Sequence, residues 1–361
     1  MLYHFLYSLH DVIGPFNVFK YITFRTALAI LSAMLISFLF GPSMIRTLKK
    51  LQVEQRIREE GPQFHKPKAG TPTMGGILII ISVIIPTLLW ADIMNLFVWV
   101  IVTSMIVFGT IGFIDDFMKI RRGKNLGLTI SSKLAIQFAA GFLLGLLLIY
   151  LSKYGVYTTK LSVPFFKTFT PDLGLFYILF TIVVIIGSAN AVNLTDGLDG
   201  LAIGSVLIAT ATFAIITYAV GHALIANYLG IINIKGTGEL TVFCGAVVGA
   251  SIGFLWYNSH PAEIFMGDVG SMALGGSLGT LAVLTKQEIL LVLVGGLFVI
   301  EAMSVILQVS SYRLTGNRIF KMAPLHHHFE HLGWKESKVV IRFWIVAIIF
   351  SLLSLATLKL R

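Results

Sequence analysis

Five polar stretches interrupt an otherwise apolar chain of 361 residues, and their side chains are of the kinds that handle phosphate or cations. The stretch "GFIDDFMK" sets Asp115 beside Asp116 at the end of a long apolar run. Successive helical residues point about 100° apart. The pair therefore cannot face one small target without a bend, and one carboxylate binds while the other orients or pairs with a basic residue; at a merely solvated helix end, Asp116 pairs with Lys119 or Lys124. A solvated helix end is the plainer reading, but acids oppose the macrodipole at a helix C-terminus, and carboxylates at membrane depth are costly and usually functional.

In "NAVNLTDGLDG", Asn190 and Asn193 are three apart, as are Asp196 and Asp199, so each pair can share a helical face. Gly197 and Gly200 permit backbone that a regular helix does not need. A capped turn accounts for one of these aspartates but less well for four polar residues. "WYNSHPAEIFMGDVGS" adds Asn258, His260, Glu263 and Asp268, with Phe265 an aromatic in a polar loop; Asp268 also reads as a plain helix cap.

"KMAPLHHHFEHLGW" carries His326, His327 and His328, with His331 nearby. Contiguous histidines do not converge as an i, i+4 zinc pair would, and no cysteine completes a structural site. With Arg318 and Lys321 they suit an anionic ligand instead. "HKPKAGTPTMGG" places Lys66, Lys68, Thr71 and Thr73 before a helix start, where cations, hydroxyls and free N–H groups hold phosphate. Its spacing is not that of a Walker loop, and alone it reads as topology lysines plus a cap. Glu301 and Gln308, seven apart on one helical face, read as hydrogen-bonding bridges between helices rather than as chemistry.

The elements that must position these residues are membrane spans. The chain is 56% hydrophobic and 12% charged, with mean hydropathy +0.87, where a soluble domain is about 25% charged. Ten spans are expected, near 22–45, 73–90, 96–117, 133–151, 173–189, 201–220, 240–257, 269–285, 289–311 and 339–357. The fold class is therefore an all-α polytopic membrane protein, a bundle of about ten helices forming one transmembrane domain over 1–361. The loops 46–72, 118–133 and 312–338 hold seventeen Lys and Arg, against nine in the opposite loops and tails. The positive-inside rule puts that group in the cytoplasm and both termini outside. Loops 190–200 and 258–268 alternate onto the cytoplasmic side too, so all five polar stretches gather on one face. The opposite loops "ADIMN" and "TKQE" read as chemically bland.

The formal charge of +10 is thus a topology signal, and no nucleic-acid partner is expected. The first twenty residues lack the pattern of a cleavable signal peptide. The lone Cys244 forms no intrachain disulfide.

Hard oxygen ligands without thiols favour Mg²⁺ or Mn²⁺. The residues alone thus indicate a cytoplasm-facing, Mg²⁺-dependent phosphoryl transfer at the membrane surface, with a lipid as one substrate. A transporter is the competing class, since intramembrane acids suit one equally. Against it, the polar residues lie at one interface rather than at the midplane, and the halves show no repeat.

The motifs "TPTMGG", "GFIDDFMK", "NAVNLTDGLDGLA", "FMGDVGS" and "APLHHHFE", in this order across nearly the whole chain, resemble the polyprenyl-phosphate N-acetylhexosamine-1-phosphate transferases. The triple His followed by Phe-Glu resembles their phospho-N-acetylmuramoyl-pentapeptide branch; relatives using other UDP-sugars are the alternative. The resemblance implies that UDP-N-acetylmuramoyl-pentapeptide and undecaprenyl phosphate give lipid I and UMP. It implies Mg²⁺, a homodimer and the bacterial plasma (inner) membrane.

It also implies roles. Asp268 matches the Mg²⁺-binding acid, Asp115 the acid that deprotonates or positions the lipid phosphate, and Asp116 its partner. Asn193, Asp196, Gly197 and Asp199, with Asn190 beside them, match nucleoside and substrate positions, and Phe265 an aromatic that stacks on uracil. Lys68, Thr73, Asn258, Gln308, Ala323 and His327 match further nucleoside contacts, while His326 and His328 contact phosphate or support their loop.

Overall fold

The computed structural model describes residues 1–51, 70–122, 127–166 and 169–359. Its helices are α1 (Leu2–Ser8), α2 (Ile22–Lys50), α3 (Gly76–Trp90), α4 (Leu96–Arg122), α5 (Ile130–Lys153), α6 (Phe176–Thr195) and α7 (Leu201–Gly221). There follow α8 (Ala223–Leu229), α9 (Leu240–Asn258), α10 (Gly267–Leu284), α11 (Glu288–Val294), α12 (Gly296–Thr315), α13 (Leu325–His331) and α14 (Glu336–Thr357). The protein is an all-α polytopic membrane protein. Among the described residues, eight helices are long and apolar enough to cross a bilayer, and α3 is a shorter apolar helix.

These nine helices fall on nine of the ten expected spans; the tenth, expected over 269–285, is α10, which is not among the eight. The span expected over 289–311 is two helices, because the chain breaks at Gly295–Gly296 between α11 and α12. Two successive glycines resist a continuous helix by about 1 kcal/mol each relative to alanine. Beyond the break α12 is mostly uncovered, and Met303, Ile306 and Leu307 face outward.

The helix at the centre of the bundle is α10. Every residue from Val269 to Leu284 is buried, and α3, α4, α6 and α7 all pack on it. Small side chains at Gly270, Ser271, Ala273, Gly275, Gly276, Ser277 and Gly279 make this possible. Without a hydrophobic drive between helices in lipid, such residues let backbones touch and gain dispersion and hydrogen bonds. The tightest approaches lie at the end that carries the polar loops. A Cβ added to Gly76 of α3 would sit 2.0 Å from the Gly270 nitrogen, and one added to Gly112 of α4 would sit 2.1 Å from the carbonyl oxygen of Asp268. Asp115 and Asp116 follow Gly112 by one helical turn, so this backbone contact sets where their carboxylates meet α10.

The far end of the bundle departs from expectation, because its loops hold buried ion pairs rather than bland polar turns. Arg25, at the start of α2, donates to both carboxylate oxygens of Glu239 at 2.6 and 2.7 Å and to the Trp90 carbonyl at 3.1 Å. Lys286, fully buried after α10, bonds Glu288 at 2.8 Å and lies 3.9 Å from the centre of the Tyr177 ring. Tyr177 donates to the same Glu288 oxygen, and Tyr157 bonds Tyr177 at 2.7 Å. Burial pulls the Lys286 ammonium below its ordinary pKa, and Glu288 offsets part of that pull.

Gly112→Ala forces α4 away from α10. It should lower the stability of the detergent-solubilised protein by about 1–3 kcal/mol in thermal unfolding. Gly187→Ala, with open space around the glycine, should leave it unchanged or slightly raised.

Candidate active site

Asp268 stands in the first turn of α10, where the helix dipole and free N–H groups favour a carboxylate. Asp115 and Asp116 come from the last two turns of α4, where the dipole opposes them. One carboxylate oxygen from each of the three lies within 4.8 Å of the others. Asp115 and Asp116 therefore converge despite their adjacency. Asp116 reaches α10, accepting from Val269 N–H at 3.2 Å, while Asp115 accepts from Leu128 N–H at 2.9 Å. Both then share Lys119, one turn further along α4, at 2.6 Å from Asp115 and 3.3 Å from Asp116.

Lys119 also lies 3.1 Å from Asp268, and Lys133 of α5 lies 2.8 Å from the same Asp268 oxygen. Asn193 of α6 donates to the other Asp268 oxygen at 2.9 Å and to Ser271 at 2.8 Å. Three carboxylates thus face two ammonium groups, with one amide holding the central acid in place. The donor set fits a divalent cation that prefers hard oxygen, because the oxygens are close and no thiol is near.

Asp196 caps the end of α6 beside this cluster and is half-buried. Burial, then the charges of Asp268, Asp116 and Asp199, push its carboxyl up to about 8. A pairing between the chain at 72–76 and the loop before α10 delivers the third side. Phe265 N–H donates to the Pro72 carbonyl at 2.8 Å, and Gly75 and Gly76 N–H groups donate to Phe265 and Met266 at 2.9 Å. Thr73 and Asp116 consequently flank Gly267, within 2.9 and 2.6 Å of where a Cβ would project. Lys66 and Lys68 lie outside the described residues.

A second polar group adjoins the first. Asp199 accepts from His260 Nδ1 at 3.1 Å and from Ala262 N–H at 3.2 Å, and its own N–H donates to Glu336 at 2.8 Å. Asn258 accepts from Gly200 N–H at 3.1 Å and donates to the Ile264 carbonyl at 2.8 Å. Together they bind the 196–200 loop, the 258–266 loop and the start of α14 into one wall.

The other expected site residues stand further out. Asn190, one turn before Asn193, bonds Gln137 of α5 at 2.9 Å and does not reach the acids. Gln308 does not bridge helices. It clasps Phe320, giving to its carbonyl and taking from its N–H at 2.9 Å each. Ala323 follows in that clasped loop, half-buried before α13. The three histidines diverge, as their contiguity requires. His326 turns inward to Glu301 at 3.2 Å, His327 pairs with Glu330 at 2.8 Å, and His328 Nδ1 accepts from Lys321 N–H at 3.1 Å.

Lys119 is the basic partner that the sequence places beside the aspartates, whereas Lys133, Ser271 and Glu336 join the site without being singled out by it. Lys119 was within reach of sequence reasoning, being four residues after Asp115 on the same helix. Lys133 was not, because it meets Asp268 from 135 residues away.

Residues 98–286 match the family glycosyl transferase family 4, and residues 68–80 match phospho-N-acetylmuramoyl-pentapeptide-transferase signature 1. Proteins named phospho-N-acetylmuramoyl-pentapeptide-transferase are similar along their whole length. That of Thermodesulfovibrio yellowstonii is 58% identical, that of Desulfosudis oleivorans 56% and that of Koribacter versatilis 53%, each alignment covering 100% of both chains.

Asp196 binds its proton more tightly in the folded chain than in the unfolded one. Its contribution is full below the ordinary carboxylate range and is lost as pH rises towards about 8. Asp196→Asn should therefore gain thermal stability relative to the unsubstituted protein between pH 5 and pH 8 in metal-free buffer. Unfolding curves across that range check it, and a pH-independent difference refutes it.

Proposed function

The chain belongs to the phospho-N-acetylmuramoyl-pentapeptide-transferase family, and from that premise we propose the reaction it runs. It transfers phospho-N-acetylmuramoyl-pentapeptide from the UDP-linked donor to undecaprenyl phosphate, giving lipid I and UMP. The observation that carries this reading is the meeting of Asp115, Asp116 and Asp268 with Lys119 and Lys133 at one end of a membrane bundle. A pyrophosphate donor and a phosphate acceptor repel each other, and such a site can bring them together only by neutralising both.

The lipid phosphate attacks the β-phosphate of the donor, and UMP leaves. Phosphate is already a competent nucleophile, so the protein's share is positioning and charge stabilisation. Asp115 positions the lipid phosphate and accepts its remaining proton, with Asp116 as its partner. Lys119 and Lys133 stand where the transferring group gathers charge. Asp268, with Asn193 fixing its second oxygen, holds Mg²⁺, which when bound supplies Lewis-acid neutralisation of the pyrophosphate.

Asn193, Asp196, Gly197 and Asp199, with Phe265 and Thr73 opposite, receive the nucleotide-sugar; Lys68 and His327 extend that surface. Asn190, Asn258, Gln308, Ala323 and His328 brace the elements that carry it. The site faces the cytoplasm, where the nucleotide is made, in a multi-pass protein of the bacterial inner membrane with both termini outside and a homodimeric assembly.

Purified protein with Mg²⁺ should convert UDP-N-acetylmuramoyl-pentapeptide to a lipid-soluble product. UDP-N-acetylglucosamine should give little, and chelation should stop the reaction. Preference for the smaller sugar would move the chain to the related hexosamine transferases. Asp268→Asn should lower turnover by about 10²-fold or more at every Mg²⁺ concentration, the scale of losing one preorganised electrostatic group. Near-normal activity would remove Asp268 from the metal role. A phosphorylated protein trapped with nucleotide-sugar alone would replace direct attack by a two-step path through an aspartyl phosphate.

A further inference from the structure

His326 is 1% exposed and its ring touches two elements at once. Nδ1 lies 3.2 Å from a carboxylate oxygen of Glu301 in α12. On the other side Nε2 abuts Gly197, where an added Cβ would sit only 2.2 Å away. Gly197 lies in the turn between Asp196 and Asp199. The imidazole is thus wedged between α12 and the loop assigned to the nucleotide-sugar.

Glu301 is the unusual member. It is 0% exposed on a helix whose neighbouring side chains Met303, Ile306 and Leu307 face outward. A buried carboxylate at membrane depth is expensive unless compensated. Its oxygens and both His326 nitrogens lack a hydrogen bond of regular geometry, so the close approach of the two side chains is what compensates it. An apolar residue would pack α12 against α13 at lower cost if packing were its only task.

We propose that Glu301 is a positioning residue of the transfer site. It holds the His326 ring by Nδ1 and thereby seats the Asp196–Gly197–Asp199 turn at the depth the nucleotide-sugar requires. His326 acts through this contact, not by touching phosphate. The inference rests on the function proposed above only in assigning that turn to the donor substrate.

The test uses the full chain in detergent or nanodiscs and measures KM for the UDP-sugar and for the lipid phosphate separately, with thermal unfolding alongside. Glu301→Gln should raise KM for the UDP-sugar by about tenfold and change that for the lipid phosphate by less than about twofold. Glu301→Asp, which keeps the charge with a shorter reach, should recover part of the loss. Equal changes in the two KM values, or a fall in Tm with both KM values unchanged, would reduce Glu301 to a packing role.

A second measurement needs no turnover. Gly197→Ala should lower Tm by several degrees in the native background and by much less beside His326→Ala, because the colliding ring is gone. Additive losses would overturn the seating contact. Absence of transfer by the unsubstituted protein would instead overturn the functional reading, and the unfolding cycle would still decide the contact.

Discussion

Three carboxylates can stand together at the edge of a bilayer only if cations stand with them. Lys119 and Lys133 meet that condition, and much of the site end follows from it. Lys119 touches all three acids, so α4 must bring Asp115, Asp116 and Lys119 to α10 on one helical surface. Lys133 touches Asp268 alone, so α5 must start beside the first turn of α10. Gly112 lets the first approach occur, and the Thr129 cap that starts α5 supports the second, its side chain accepting from Ser132 N–H at 3.2 Å. Electrostatic need and backbone shape therefore select the same arrangement.

The polar residues at this end divide into two kinds. One kind faces the acids: Asn193, Lys119, Lys133 and, across Gly267, Thr73. The other has its hydrogen bonds closed by backbone or by a neighbouring side chain. Asn258, Gln308 and His328 belong here, and each ties one stretch of chain to another. Loops between membrane helices have little apolar surface to bury. Their geometry is fixed by side chain to backbone bonds instead, and those bonds consume residues that would otherwise look like ligands.

Much of this was legible in the chain. The helical architecture followed from hydropathy, and the five polar stretches named the acids that meet. Other features were hidden for physical reasons. Adjacent aspartates looked divergent because helical geometry fixes Cα–Cβ directions, while a carboxylate with two oxygens has further reach. Lys133 and Glu336 were invisible because their partners are distant in sequence. The break at Gly295–Gly296 was masked by uninterrupted hydropathy, since a hinge in a membrane helix costs the pattern nothing. Buried pairs at the far end were masked for the opposite reason. A lysine and a glutamate two residues apart in a short loop look like surface residues, and only tertiary closure buries them.

Those far-end pairs have a mechanical consequence. Arg25 with Glu239 joins α2 to the residues before α9, and Lys286 with Glu288 and Tyr177 joins α10 and α11 to α6. Removing one partner of such a pair costs about 3–5 kcal/mol. The helices are thereby fastened at the end opposite the acids, and α10 leads from one set of charges to the other, with Asp268 in its first turn and Lys286 just past its last. The same helix that seats the central acid is thus anchored at its far end by charge, so a lost partner there loosens the support of a site it never touches.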